Sequence, residues 1–206
     1  MIYDISMPIH PDMAVYKNRD EKKPRFKTVK TFENDGVYET DITMNLHTGT
    51  HIDFPLHTLE SGKNSHKHNI KTLLGDAKVL DLTTVREGIT DNDLAGFDIK
   101  DNDFILLKTR NSYHDEFDFE FVYLSKTGAE YLVDKGVRGV GIDALGIERN
   151  QPGHPTHDLL LNEEILILEG IRLKDVSEGT YEMIALPLSI EDVEALPVRA
   201  ILKTKD

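Results

Sequence analysis

Between positions 47 and 57 the chain reads H-T-G-T-H-I-D-F-P-L-H, which gathers three histidines and an aspartate into one short stretch. His47, His51, Asp53 and His57 are residue types that hold borderline divalent metals or carry protons near neutral pH. His51 and Asp53 are two apart and share one side of an extended segment. Gly49 permits a turn that brings His47 round to meet them. Gly49 and Pro55 together exclude a regular helix through the stretch. The residues therefore point to a metal site with His47, His51 and Asp53 converging. The competing reading, a polar loop with no ligand, is outweighed by the coincidence of so many ligand-type residues.

Other acids and histidines divide between chemistry and structure. Glu169 ends an apolar run, where a carboxylate is costly to bury unless a cation or a donor meets it. A metal ligand and a structural salt bridge fit that position equally well. Asp143, in G-I-D, also follows an apolar run and reads as a strand-end acid capping local backbone donors. His66 and His68 lie in a Ser/Asn/Lys-rich solvated loop, and His10 and His114 read as surface residues. His154 and His157 are three apart, a spacing that binds metal on a helix. Pro155 breaks the regular turn between them, and one ligand from the pair is sufficient.

The elements that must position these residues are legible from periodicity. Tyr38 to Leu46 alternates and is Thr-rich, which predicts a strand delivering His47. Short apolar runs predict buried strands at Ala77 to Thr83, Asp103 to Thr109, Val137 to Ile142 and Ile165 to Leu168. A final strand pair is predicted near Tyr181 to Leu186 and Arg199 to Lys203. Thr90 to Ala95 reads as a brief capped helix, and Ser125 opens a longer one stopped by Gly136. His157 to Leu161 has a helix-like apolar face. Pro11 to Pro24 has no periodicity and reads as a long loop able to cover a site. Strands dominate and helices alternate with some of them. The fold class is α/β, with a mixed β-sheet and flanking helices rather than a doubly wound parallel sheet.

The 206 residues suit one domain spanning 1–206. No apolar run is long enough to span a bilayer. Met1-Ile2-Tyr3-Asp4 carries an acid where a secretory signal carries bases, so a cytoplasmic location is expected. Without cysteine, any metal must be held by imidazole and carboxylate. A formal net charge of -13 argues against nucleic acid as a partner.

These residues also carry a family resemblance. H-T-G-T-H-I-D-F-P-L-H resembles the H-x-G-T-H-x-D-x-P-x-H signature of the metal-dependent cyclase family, which includes kynurenine formamidases (arylformamidases) and isatin hydrolases. I-Y-D-I-S-M-P-I resembles the family's opening strand, G-V-G-I-D a later strand, and H-D-L-L-L-N-E-E-I-L-I-L-E-G its second metal-binding stretch. L-P-V-R-A-I-L fits the ending. The resemblance implies a swivelling β/β/α domain, often a homodimer or higher homo-oligomer, holding zinc or, in some members, manganese. It implies one metal on His47, His51 and Asp53, and in two-metal members a second on Asp53, His157 and Glu169. His57 would be the proton donor and acceptor. It favours Glu169 as a ligand and His157 over His154. The chain departs from the formamidase pattern in the N-terminal loop, where Tyr16-Lys17-Asn18-Arg19 replaces a tryptophan followed by Pro-Gly-Asp. That places Tyr16 at the expected substrate position. It departs again at Leu145-Gly146-Ile147-Glu148, where a serine and an aspartate are usual.

The expected activity is hydrolysis of a C–N bond in a small amide. An amide resists neutral water and its nitrogen leaves poorly as an anion, so a catalyst must sharpen the nucleophile and supply a proton. A metal on His47, His51 and Asp53 meets the first need by lowering the pKa of water, and His57 meets the second. A lactone hydrolase, dehydratase or cyclising enzyme would use the same groups. A non-catalytic metal-binding protein is the reading from another class.

Overall fold

The described residues, 1–149 and 151–205 of a computed structural model, form twelve strands and four helices. In chain order these begin with β1 (Ile2–Asp4), β2 (Arg25–Lys30), α1 (Phe32–Asp35), β3 (Glu39–Thr43) and β4 (His51–Asp53). Next come β5 (Leu74–Asp81), β6 (Gly88–Ile89), α2 (Asp91–Leu94), β7 (Phe104–Lys108) and β8 (Tyr123–Leu124). The rest are α3 (Lys126–Asp134), β9 (Gly139–Ile142), α4 (Pro155–Asn162), β10 (Leu166–Glu169), β11 (Gly179–Pro187) and β12 (Ala195–Thr204).

Eight strands make one mixed sheet in the order β1-β12-β11-β5-β7-β9-β10-β4, and β4 also pairs with β12. That last pairing curls the sheet into a barrel-like closure. It is possible because β12 is long: Ala195 to Pro197 pair with β4, and Ile201 to Lys203 with β1. The strands β5, β7, β9 and β10 run parallel, while β4, β11 and β12 are antiparallel to their neighbours. A mixed α/β fold with flanking helices is what the periodicity predicts.

Period two fixes which side chains enter the barrel. Phe104, Leu106, Leu166, Leu168 and Ile52 pack in the interior cluster, with Met183 and Leu202 from the opposite wall. Their alternates, Ile105, Leu107, Val140, Ile142 and Ile167, face outward and are covered by Leu94, Leu132 and Leu160 from the helices. Each fully buried Leu, Ile or Phe contributes about 1.5–3 kcal/mol, so both faces of the central strands are strongly specified. A one-residue slip of β4 would turn His51 and Asp53 into that apolar interior.

The helices have the predicted caps. Thr90 and Asp93 form a capping box on α2, and the Ser125 hydroxyl accepts from Gly128 N–H at the start of α3. Two expectations are corrected. Pro155 does not break the turn between His154 and His157. It occupies the first turn of α4, where its missing N–H costs nothing, and His154 precedes it with φ 50°. The predicted strand Tyr38 to Leu46 leads to His47 only through a turn and does not join the main sheet. Its core, β3, pairs only with β2 in a separate two-stranded sheet whose residues are all exposed. The alternation there reflects hairpin pairing rather than burial on the main sheet.

Candidate metal centre

A short turn, a tight strand register and one helix assemble the site. His47 follows β3 through a turn in which its N–H donates to Asn45 Oδ1 (2.9 Å) and Thr48 N–H donates to the Asn45 carbonyl (3.1 Å). Gly49 then takes φ 68°, a left-handed conformation, in the turn that the sequence expected there. The Thr50 hydroxyl ties this turn down, accepting from Met7 N–H (2.7 Å) and donating to the Gly170 carbonyl (2.7 Å). A Cβ on Gly170 would lie 2.4 Å from the Gly49 carbonyl oxygen, so only glycine permits the approach.

Antiparallel pairing places Glu169 of β10 opposite His51 of β4, and Ile167 opposite Asp53. His51, Asp53 and Glu169 therefore share the outer face of the barrel, while Ile52 between them points inward. Helix α4 packs on the outside of β10 and lowers His157 onto the same spot. Residues more than a hundred positions apart in sequence thus become neighbours.

The donor atoms face a common space. His51 Nε2 lies 3.5 Å from Asp53 Oδ1 and 3.3 Å from Glu169 Oε2. His157 Nε2 lies 3.8 Å from Asp53 Oδ2 and 3.6 Å from Glu169 Oε1. His47 Nδ1 lies 3.0 Å from Asp53 Oδ1. Yet His51 Nε2 and both Asp53 oxygens are buried without a hydrogen bond. Buried polar atoms in that state carry a large penalty. Their spacing is close to the roughly 3.3 Å between neighbouring donors of a tetrahedral ion with bonds of about 2.0–2.1 Å. A divalent cation accounts for both facts. Each carboxylate turns one oxygen toward His51 and the other toward His157.

Surrounding groups set the ring orientations. His51 Nδ1 donates to the Gly49 carbonyl (2.9 Å), which leaves Nε2 as the free lone pair of the neutral ring. His157 Nδ1 donates to Glu148 Oε1 (2.9 Å), with the same effect. Glu169 Oε1 accepts from Ile147 N–H at 2.6 Å. His154 also contacts Glu148, at 2.7 Å, but its side chain is 69% exposed and stands at the rim. His57 stands beside the group, its ring centroid 4.3 Å from His47 and 5.3 Å from His157. His57 is exposed to solvent.

Burial by itself would push the His51 imidazole down, but the Asp53 and Glu169 charges outweigh it and raise the pKa to about 9. For His157 burial is likewise overcome, by hydrogen bonds to Glu148 and Glu169, and the pKa rises to about 10. Burial pushes Asp53 and Glu169 upward, and the Glu169 charge adds to this at Asp53, but the facing imidazoles hold both below the ordinary range. Raised imidazole pKa values stabilise the metal-free protein fully below about pH 6.5, and that contribution fades as pH rises through about 9 to 10. A cation needs neutral imidazoles, so its own stabilisation grows over the same range. The Tm gap between zinc-loaded and chelator-treated protein is therefore expected to widen from about pH 6 to about pH 9. A gap that stays constant would contradict this pairing.

The cleft above the centre has a volume of about 550 Å³, and Tyr16, His47, His57, His157 and Glu169 line it. Tyr16 comes from the loop between Pro11 and Pro24, as the sequence placed it. His47, His51, Asp53, His57, His157 and Glu169, the residues whose types and spacing pointed to chemistry, all meet at this centre. Asp143 does not: it is buried elsewhere and accepts from the N–H and hydroxyl groups of Thr109 and Ser112. His10, His66 and His114 are exposed, as expected. Sequence reasoning missed Glu148 as the partner of His157, and Glu194, whose Oε1 lies 3.4 Å from His47 Nε2. Glu148 is marked only as part of the stretch that departs from the family pattern, and Glu194 sits in no periodic or motif context.

Fold and site define an α/β protein with an imidazole and carboxylate centre suited to a divalent cation. The chain belongs to the Cyclase family, described as "Putative cyclase", which matches residues 3–149. It is 31% identical over 202 residues to the kynurenine formamidase of Bacillus cereus (strain ZK / E33L), covering 97% of this chain and 96% of that one. A solved structure described as a predicted metal-dependent hydrolase from Bacillus stearothermophilus is 48% identical, with TM-score 0.91 over 98% of this chain and 97% of that one. Isatin hydrolase A from Labrenzia aggregata, 21% identical, shares the fold with TM-score 0.88 over 100% of this chain and 94% of that one.

Proposed function

We propose that this chain is a metal-dependent hydrolase that cleaves the C–N bond of a small amide, an aryl formamide or a cyclic amide, with His57 as its proton carrier. One observation carries the reading: buried, unbonded donor atoms of His51 and Asp53 converge beside a cleft lined by His47, His57, His157 and Glu169. The formamidase relatives support the amide substrate. We read His47, His51 and Asp53 as one ligand set and Asp53, His157 and Glu169 as a second, for one or two ions. Zinc suits the nitrogen-rich set best and manganese second. When bound, the cation supplies Lewis acidity and lowers the pKa of water toward about 7.

The chain's own groups do the rest. Burial first, with the neighbouring His47 and His157, lowers the His57 pKa against the opposing pull of Asp53 and Glu169. His57 is thus neutral at pH 7 and ready to accept a proton. It takes that proton from the attacking water and returns it to the departing nitrogen. A C–O bond forms, the C–N bond breaks, and no other co-reactant is needed. Glu148 keeps the His157 ring turned, and the Ile147 N–H keeps Glu169 in place. Tyr16 is read as a substrate contact on the cleft wall.

The whole chain is read as one domain working in the cytoplasm, and no helix among the described residues is long and apolar enough to cross a membrane. A homodimer or higher homo-oligomer is supported by the β2–β3 hairpin. It leaves Phe32 72% and Tyr38 59% exposed, with Phe26 and Ile42 also open. An isolated hairpin open on both faces is marginal in water, and such apolar surface is a common docking feature. The test is elemental analysis and light scattering of the purified protein, then assay on aryl formamides and isatin-like cyclic amides. Hydrolysis abolished by chelator and restored by zinc or manganese is the expected result. Metal-independent turnover, or inertness toward every amide, would overturn it.

A further inference from the structure

The cleft wall also carries charge of the other sign. Lys17 and Lys22 both line the cleft, and their Nζ atoms lie 5.3 Å and 5.4 Å from the Tyr16 ring centroid. Acids exceed bases by 37 to 24 in this chain, and the adjacent Lys23 is paired with Asp20 at 2.9 Å. Among the described residues no carboxylate pairs with Lys17 or Lys22. Two ammonium groups near one ring, with no carboxylate partner among the described residues, make this part of the cleft wall cationic.

The ring itself is fixed. Phe117 packs edge-on against Tyr16 at 5.4 Å and 74°. The backbone of Gly146 closes on the ring so tightly that a Cβ there would lie 3.0 Å from Tyr16 Cε2. Lys17 and Asn18 take φ 58° and 50°, a left-handed pair that is uncommon outside glycine, and the turn is closed by Asn18 N–H donating to the Val15 carbonyl (2.9 Å). Burial first, then the charges of Glu169 and Glu148, raises the Tyr16 phenol pKa. The ring thus remains neutral, with both lysines close to it.

We infer that the cleft selects substrates whose non-reacting end carries an anionic group, which the Lys17 and Lys22 ammonium groups hold across the Tyr16 ring while the amide reaches the buried centre. This rests on the amide-hydrolase reading for the reacting end only. The overall negative charge of the protein would otherwise disfavour such a substrate, and a local cationic rim reverses that at the mouth.

The test uses the full metal-loaded chain and two probes of matched shape, 4-formamidobenzoate and the neutral 4-formamidobenzamide. Affinity is read as KM if the probe is cleaved and as Kd by titration calorimetry if it is not. Failure of amide hydrolysis is thereby separated from failure of anion selection. The wild type is expected to favour the carboxylate probe by about tenfold, the size of two partly exposed charge pairs, and to lose most of that preference in about 0.5 M salt. The double variant Lys17→Met/Lys22→Met should bring the ratio to within about twofold of unity, whereas Lys17→Arg/Lys22→Arg and the remote Lys67→Met should keep it. Equal affinity for both probes in the wild type would overturn the inference. So would a preference that survives in the methionine double variant, because the metal centre would then be its source, or one lost equally in Lys67→Met.

Discussion

Asp53→Ala is expected to lose bound divalent metal and hydrolytic activity together, with kcat/KM falling by roughly 10³-fold or more. The reason lies in its position at the middle of the cluster. Asp53 is fully buried, both oxygens lack hydrogen bonds, and they face His47 and His51 on one side and His157 on the other. Among the described residues no other side chain reaches all three imidazoles. Its removal takes a donor from both proposed ligand sets and leaves the raised-pKa imidazoles of His51 and His157 with less negative charge to pair with. Asp53→Asn separates charge from packing, since it keeps the volume and removes the formal charge. Elemental stoichiometry measured beside turnover checks the prediction. Metal retained at the wild-type ratio in Asp53→Ala would remove Asp53 from the ligand set.

His57→Ala should behave differently, keeping its metal while kcat falls by about 10² to 10⁴, the range that a positioned acid–base group contributes. The His57 ring centroid lies 4.3 Å from that of His47, on the solvent side of the buried carboxylates, and its imidazole is held below the usual 6.5 chiefly by burial. Because the working form is the neutral base, wild-type activity should rise with pH through that lowered pKa and show an acidic limb below about pH 6.5. The variant should lose that limb along with its rate. Full turnover in His57→Ala would reject the assignment. Loss of metal in the same variant would make His57 a ligand instead of a proton carrier.

The contrast between these variants depends on information that differs in origin. The ligand-type residues of 47–57 are dense enough to be read directly, because extended chain brings positions two apart to one side and Gly49 allows the turn. The apolar runs are also local signals, and they gave the barrel strands β5, β7, β9 and β10 nearly in place. Tyr38 to Leu46 misled because alternation records a pleated pair without saying which sheet it joins. Pro155 misled because a proline ends a helix or begins one according to what precedes it, and the left-handed His154 decides that here.

By itself, the sequence determined the chemical vocabulary of this protein: imidazole and carboxylate without thiolate, two apolar faces per central strand, and a turn at Gly49. Only the tertiary structure decided that Glu169 faces His51, that α4 sets His157 against Asp53, and that Glu148 and two unpaired lysines belong to the same cleft. The physical reason is range. Periodicity and turn preference are properties of a few adjacent residues, whereas strand register and helix docking are set by burial of side chains far apart in the chain, which no local pattern records.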